Sequence, residues 1–243
     1  MKRERKVSEL FWVFGLVFVA LGICICRRAN LGVSANAAPA FVVSEAAVRL
    51  WSGFSVGVTE YIIQGILLII LCVIVRRFNW RYILAFAVAV VYGYTLNLFL
   101  WLLKDVYVDA VWQRWLTLVI GDVIMAFGVA CLFRTYMPLQ VYELFVAETA
   151  SRFKLDINKT KWVFDFSVLA ASVLTAVIVF RDIGTFDWSS IGYSSYHNMG
   201  IGTIVTTIIN TPLITMWGKI IDRFIIPVPL SPGMERVFKR KNF

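Results

Sequence analysis

The sequence predicts an all-α, polytopic membrane protein. Six transmembrane helices are arranged as two inverted three-helix repeats, each carrying a short interrupted, re-entrant helix. Three observations lead there. Of 243 residues, 60% are hydrophobic and only 16% are charged, whereas a soluble domain carries about 25% charged residues. The apolar residues gather into blocks, and about 20 such residues suffice to cross about 30 Å of hydrocarbon. Finally, similar blocks recur at a nearly constant offset.

Taken in order, the blocks fall at about 10–26, 57–75, 82–103, 115–133, 162–180 and 199–221. The first follows MKRERK. A basic start and an apolar run also describe a secretory signal, and SANA (34–37) offers a small-residue cleavage pattern. The internal repeat argues instead that this block is retained. Cys24, Cys26, Cys72 and Cys131 all lie inside apolar blocks. They read as buried packing residues, since disulfide frameworks belong to small extracellular domains. His197, the only histidine, lies in a polar loop, so no histidine-based metal site is expected, and no cofactor.

Between the first two blocks lies ANLGVSANAAPAFVVSEAAVRLWS (29–52), and after the fourth lies TYMPLQVYELFVAETASR (135–152). Each is apolar enough to enter a bilayer and too short or too polar to cross it. Ser34 or Asn36 is placed to cap a helix whose opening turn tolerates Pro39. Pro138 is placed to open the second. A helix that starts inside a membrane leaves its first N–H groups without partners, so its tip must face protein or a water-filled cavity. The alternative is a pair of amphipathic helices lying on the membrane surfaces. Val42, Val43, Ala46 and Leu50 form an apolar stripe, with Ser44, Glu45 and Arg49 elsewhere.

Basic residues orient the chain, because cytoplasmic loops carry the excess of Lys and Arg. With the amino terminus inside, eighteen of the 24 fall inside, among them Lys161, and six fall outside: Arg27, Arg28, Arg49, Lys104, Arg114 and Arg181. Both termini are then cytoplasmic. The net charge of +9 follows from this bias and calls for no nucleic-acid partner. The partners expected are the lipid bilayer and a small-molecule substrate, with proton or sodium coupling; oligomeric state is not encoded.

The repeat is seen in GLVFVALGICICRR against GDVIMAFGVACLFR. Gly15 and Gly121, Gly22 and Gly128, and Arg28 and Arg134 share the offset 106, while Glu60 and Asp165, and Arg76 and Arg181, share 105. One transmembrane domain over 1–243 thus contains repeat 1 (about 10–105) and repeat 2 (about 115–222), with basic tails at 1–9 and 223–243. Three spans per copy force the second copy to enter from the opposite side, as in secondary transporters whose sites lie between the halves.

Ionisable groups within spans are costly and mark sites. Glu60 with Gln64 one turn on, Asp122, Asp165 and the Tyr142–Glu143 pair are the candidates, joined by Ser34 and Asn36 at the first interrupted helix. Asn97 is placed to bond across helices, which is also an ordinary packing role. Arg28, Glu45 and Arg134 are further possibilities. No catalytic constellation is present, so enzymatic activity is not expected.

LGICICRRANLGVSANAAP, GFSVGVTEYIIQG and GDVIMAFGVA resemble the YczE/YitT-type bacterial membrane proteins over most of 10–225. In those, LGVSP follows span one, a small-residue GxxxGT precedes span two, and D-x-x-x-A-F-G opens the second half. The proline after LGVS is Ala35 here, and a proline comes only at Pro39. The resemblance implies a bacterial inner-membrane protein associated with transport and, in some members, with small-molecule export. The expectation is therefore a secondary transporter, a proton-coupled exporter of a small organic molecule working by alternating access. The alternatives are a ligand-capturing subunit of a larger transporter and a non-transporting sensor or scaffold.

Overall fold

The computed structural model describes residues 3–48, 51, 53–182 and 195–230. Six long apolar helices are present: α1 (Ser8–Arg28), α3 (Val56–Val75), α4 (Arg81–Leu102), α5 (Val111–Leu132), α7 (Ile157–Phe180) and α8 (Ile201–Phe224). Two shorter ones, α2 (Ala38–Ala47) and α6 (Val141–Phe153), occupy the interrupted segments. Length and composition allow each long helix to cross a membrane. Their outward faces carry exposed Ile62, Ile66, Ile69, Val73, Val163, Leu174 and Ile178, as lipid contact requires.

α1 and α5 form the centre, and glycines bring them together. Gly15 packs on Gly128 and Gly22 on Gly121, so the two helices run antiparallel. A Cβ on Gly22 would lie 2.6 Å from the Gly121 carbonyl oxygen, and one on Gly121 2.8 Å from that of Gly22. Small residues permit such backbone contact, which replaces the hydrophobic drive that lipid does not supply. Cys26 fills the space beside Gly121, as Leu132 does beside Gly15. Cys24, Cys26 and Cys131 are buried, and all four cysteines are free thiols.

Around this pair the packing is reciprocal. α4 lies on α1 and α8 on α5; α2 packs on α3 and α7, and α6 on α7 and α3. Each short helix thus wedges between the same two long helices. α2 buries Ala38, Ala40, Phe41, Val42 and Ser44, and α6 buries Val141 through Leu144 with Val146, Ala147 and Ala150. Neither has the solvent-facing side that a surface helix needs. Leu50 and Arg49, at the end of the expected apolar stripe, lie outside the described residues.

One feature was absent from the expected architecture. Residues Arg3–Lys6 (β1) and Ile225–Val228 (β2) form a two-stranded parallel ribbon, with Arg3 opposite Ile225 and Lys6 opposite Val228. The ribbon places the start of α1 and the end of α8 on one face, here termed the terminal face. The opposite, distal face carries the ends of α1 and α4 and the start of α8.

Candidate functional site

The segment after α1 turns back into the protein from the distal face. Asn30 and Gly32 have positive φ, 53° and 117°. Gly32 is required there twice over: its φ suits glycine, and a Cβ would fall 2.2 Å from Thr203 Oγ1. Gly202 N–H donates to the Leu31 carbonyl (2.9 Å) and Val33 N–H to that of Asn198 (2.8 Å), fixing the segment to the start of α8. From the terminal face the segment after α5 does the same. Ser8 Oγ bonds Thr135 Oγ1 (3.2 Å), and Trp12 Nε1–H donates to the Pro138 carbonyl (2.9 Å).

The helix starts differ from expectation. Neither Ser34 nor Asn36 caps α2; its N-cap is Ala37. The Ser34 carbonyl accepts from Ala37 and Ala38 N–H, Ala40 and Phe41 N–H donate to Ala37, and Pro39 has no N–H. The N–H groups that open α2 are therefore satisfied internally, without the Ser34 or Asn36 side chains. α6 begins at Val141, three residues after Pro138. Its first N–H donates to Gln64 Oε1 (3.3 Å) on α3, whose amide nitrogen donates to Glu60 Oε1 (3.1 Å).

The two tips meet at a largely enclosed cavity of about 20 Å³ between α1 and α5, room for about one water. Its walls include Ser34, Asn36 and Ala37 from the first tip and Gln140, Tyr142 and Glu143 from the second. Val19 and Ile23 of α1 face Met125 and Val129 of α5 across it, with Glu60, Tyr92, Lys161 and Asn210 completing it. Five pairs in this wall differ by 106 in number: 19 and 125, 23 and 129, 34 and 140, 36 and 142, 37 and 143. The carboxylates continue the pairing. The Tyr142 hydroxyl faces Glu60 without reaching hydrogen-bond geometry, and the Asn36 amide faces Asp165. Each tip is thus met by an acid from the other half.

Lys161 is the residue that sequence reasoning assigned to membrane anchoring. It is buried, with its ammonium 3.1 and 3.2 Å from the two Asp165 oxygens. Asp122, wholly buried, sits near Lys161 and Asp165 with neither oxygen hydrogen-bonded. Three acids, Asp122, Glu143 and Asp165, therefore lie about one ammonium, and Glu60 lies near Glu143. Gln140, Tyr92 and Asn210 were also missed. The spacing of Lys161 and Asp165, four apart on one helix face, was the available signal.

A cleft opens from each face toward this centre. That on the terminal face, about 870 Å³, includes Arg134, Ala147, Ala150, Ser151 and Lys161. Lys161 thus stands between cleft and cavity. That on the distal face, about 450 Å³, includes Arg28, Phe41, Ser44, Glu45 and Val56. These are the same positions displaced by 105 or 106. The distal cleft is bordered by a cluster on His197. Its Nδ1 lies 2.7 Å from Glu45 Oε1 and its Nε2 3.0 Å from Asp182 Oδ2, and the ring stacks on Phe180 at 3.6 Å. Bonds from Tyr196 and from His197 hold Asp182 below the usual carboxylate range. Partial burial and the Asp182 carboxylate push the Tyr196 phenol up to about 12.

The remaining candidates lie away from the cavity. Asn97 accepts from Gly57 N–H and donates to Ser55 Oγ, both at 2.8 Å, securing the start of α3. Arg28 donates to the Lys104 and Leu100 carbonyls at the end of α4. Arg134 pairs through two nitrogens with Asp222 at 2.7 Å near the end of α8. Both arginines tie down a helix end, and each lines the cleft on its own face. Among the described residues no group of three His, Cys, Asp or Glu could hold a metal ion.

No curated protein and no solved structure matches the chain. The model of a family of unknown function (DUF6198) matches residues 6–219. With that match running from the start of α1 to the last turns of α8, the chain belongs to this family, DUF6198, whose function is unknown.

Proposed function

We propose that the protein is a proton-coupled secondary transporter that exports a small organic molecule by alternating access. The observation that carries this reading is the arrangement of one occluded polar cavity between two clefts, one on each face. We read the two halves as inverted copies related by a two-fold axis at the α1–α5 crossing. The reciprocal glycine contacts support this, because exchanging the halves turns the Gly15–Gly128 contact into the Gly121–Gly22 contact. Equivalent clefts then give two states of similar energy, each open to one side, as rocking of the halves requires. The terminal face is the cytoplasmic one on the distribution of basic residues. Its cleft is the larger, which favours loading from inside.

Proton coupling rests on charge. Four buried acids with one ammonium cannot all be ionised in a low-dielectric site without a large desolvation penalty. Protons are the simplest neutralising species, and a carboxylate that exchanges its proton for substrate couples the two fluxes. YczE/YitT-type proteins, which the sequence resembles, fit this role.

The test needs no known substrate. A Ser34→Cys variant, in a background with the four native cysteines replaced, is treated with an impermeant thiol reagent added to either side of oriented vesicles. Reaction from each side in turn, with the preference reversed by an imposed pH gradient, is expected. A thiol sealed from both sides under every gradient rules out alternating access.

A further inference from the structure

The cavity has a pronounced imbalance of hydrogen-bonding groups. Buried atoms without a partner include Asn36 Oδ1, Glu60 Oε2, Gln140 Oε1, Glu143 Oε2 and Asn210 Oδ1, all on residues that line it. These five are acceptors; the unpartnered Ser34 and Tyr142 hydroxyls of the same wall can donate or accept, and no unpartnered side-chain nitrogen lies among its described residues. At the helix tips the N–H groups that open α2 are satisfied internally and the first α6 N–H is bonded to Gln64. An unmet buried acceptor carries its full desolvation penalty, a larger one if it is charged. The acceptors outnumber the two hydroxyls, and with Glu60 and Glu143 among them the unmet demand is for positively charged donors. Lys161 is the one cation among the wall's described residues, and it reaches Asp165 from the side of the terminal cleft.

We propose that the central cavity binds a small organic cation bearing N–H donors, an alkylammonium or guanidinium group, which takes up the acceptors that Lys161 leaves unmet. This rests on the transport reading only for the route by which the ligand arrives; the site itself follows from the wall. Lys161 acts as a tethered stand-in for the ligand. Its withdrawal from Asp165 toward the terminal cleft opens the way in, and the incoming ammonium replaces it beside the acids. A cavity of about 20 Å³ is the closed state of such a site; the ligand requires the terminal side to part.

The experiment uses the full chain in detergent at fixed pH and ionic strength. Binding of ethylammonium, methylguanidinium, tetramethylammonium and acetate is measured by calorimetry and by the shift in thermal unfolding. Ethylammonium and methylguanidinium should bind saturably, at least tenfold more tightly than tetramethylammonium, which has the charge but no N–H. Acetate should not bind. In Lys161→Ala the competitor is gone, and ethylammonium should bind at least tenfold more tightly than to the parent and restore lost thermal stability. If that variant does not fold, Glu143→Gln carries the test, with at least a tenfold loss of ethylammonium affinity. Equal affinities for tetramethylammonium and ethylammonium, binding of acetate alone, or no saturable binding overturns the proposal. Vesicle flux separates the two readings. Cation binding without exchange across the membrane defeats the transport reading and leaves the site; acetate flux without cation binding does the reverse.

Discussion

At the scale of single residues, Lys161 and His197 carry the most consequence, and they are opposites. Lys161 is buried with one carboxylate held at 3.1 Å, so removing Asp165 strands an ammonium away from water. Breaking a buried pair on one side costs about 3–5 kcal/mol. Asp165→Asn should lower stability by about that amount in a denaturation series, while the double variant Asp165→Asn with Lys161→Met recovers most of it. His197 stands at the distal face between two carboxylates, and its ring donates to both only when doubly protonated. Asp182, held below the usual carboxylate range, contributes stability that is complete above about pH 4, the unperturbed value, and is lost as pH falls through its lowered one. The contact between Asp182 and the His197 ring is therefore weakened as pH falls through that lowered value. Thiol labelling of a Ser44→Cys variant, at a pH where Asp182 is ionised, should become several-fold faster when His197→Gln is added. Equal labelling with and without His197 would mean that the cluster does not restrict access to the cleft.

Residue legibility follows from context. Ser34, Asn36, Glu60, Asp122, Tyr142 and Glu143 stand out as polar groups in apolar chain, and the structure gathers them about one centre. Lys161 does not stand out, because a lysine at the start of a span has the same signature as an interfacial anchor. Tyr92 is one of many aromatics, most of which pack or face lipid. Asn97, Arg28 and Arg134 are polar in similar settings yet serve helix ends. Sequence shows that a group is unusual, and only packing decides which neighbour it meets.

At the scale of elements, the spans are legible because hydrocarbon imposes a length, and their observed bounds differ from the apolar blocks by only a few residues. The helix tips are less so. Capping by Ser34 or Asn36 is the natural reading of the sequence, but a turn closed by the Ser34 carbonyl together with Pro39 leaves nothing for those side chains to cap. The two-stranded ribbon has no alternating pattern to betray it. Glycines supply the sharpest element-level tests. Gly32→Ala adds a side chain at φ 117° and 2.2 Å from Thr203 Oγ1, and should cost roughly 1–3 kcal/mol in thermal unfolding. Gly22→Val, at the α1–α5 crossing, should cost as much or more through overpacking. Gly65→Ala serves as the control. Its Cβ would meet only the Phe86 ring, at 3.1 Å, which can turn aside, so its midpoint should stay close to the parent's.

At the scale of the whole molecule, the design consists of two short helices that start at the centre and leave by opposite faces, each wedged against the other half. The distal cleft reaches Ser44 of α2 and the terminal cleft reaches Ser151 of α6, while the tips 34–37 and 140–143 share one closed cavity. On the proposed transport reading, that crossing makes a single site addressable from either side. The most direct test is side-specific labelling of Ser44→Cys and Ser151→Cys, each in a chain without its native cysteines, in right-side-out and inverted vesicles. The account predicts that the impermeant reagent reaches position 44 only from outside and position 151 only from the cytoplasm. Labelling of both positions from the same side would contradict it.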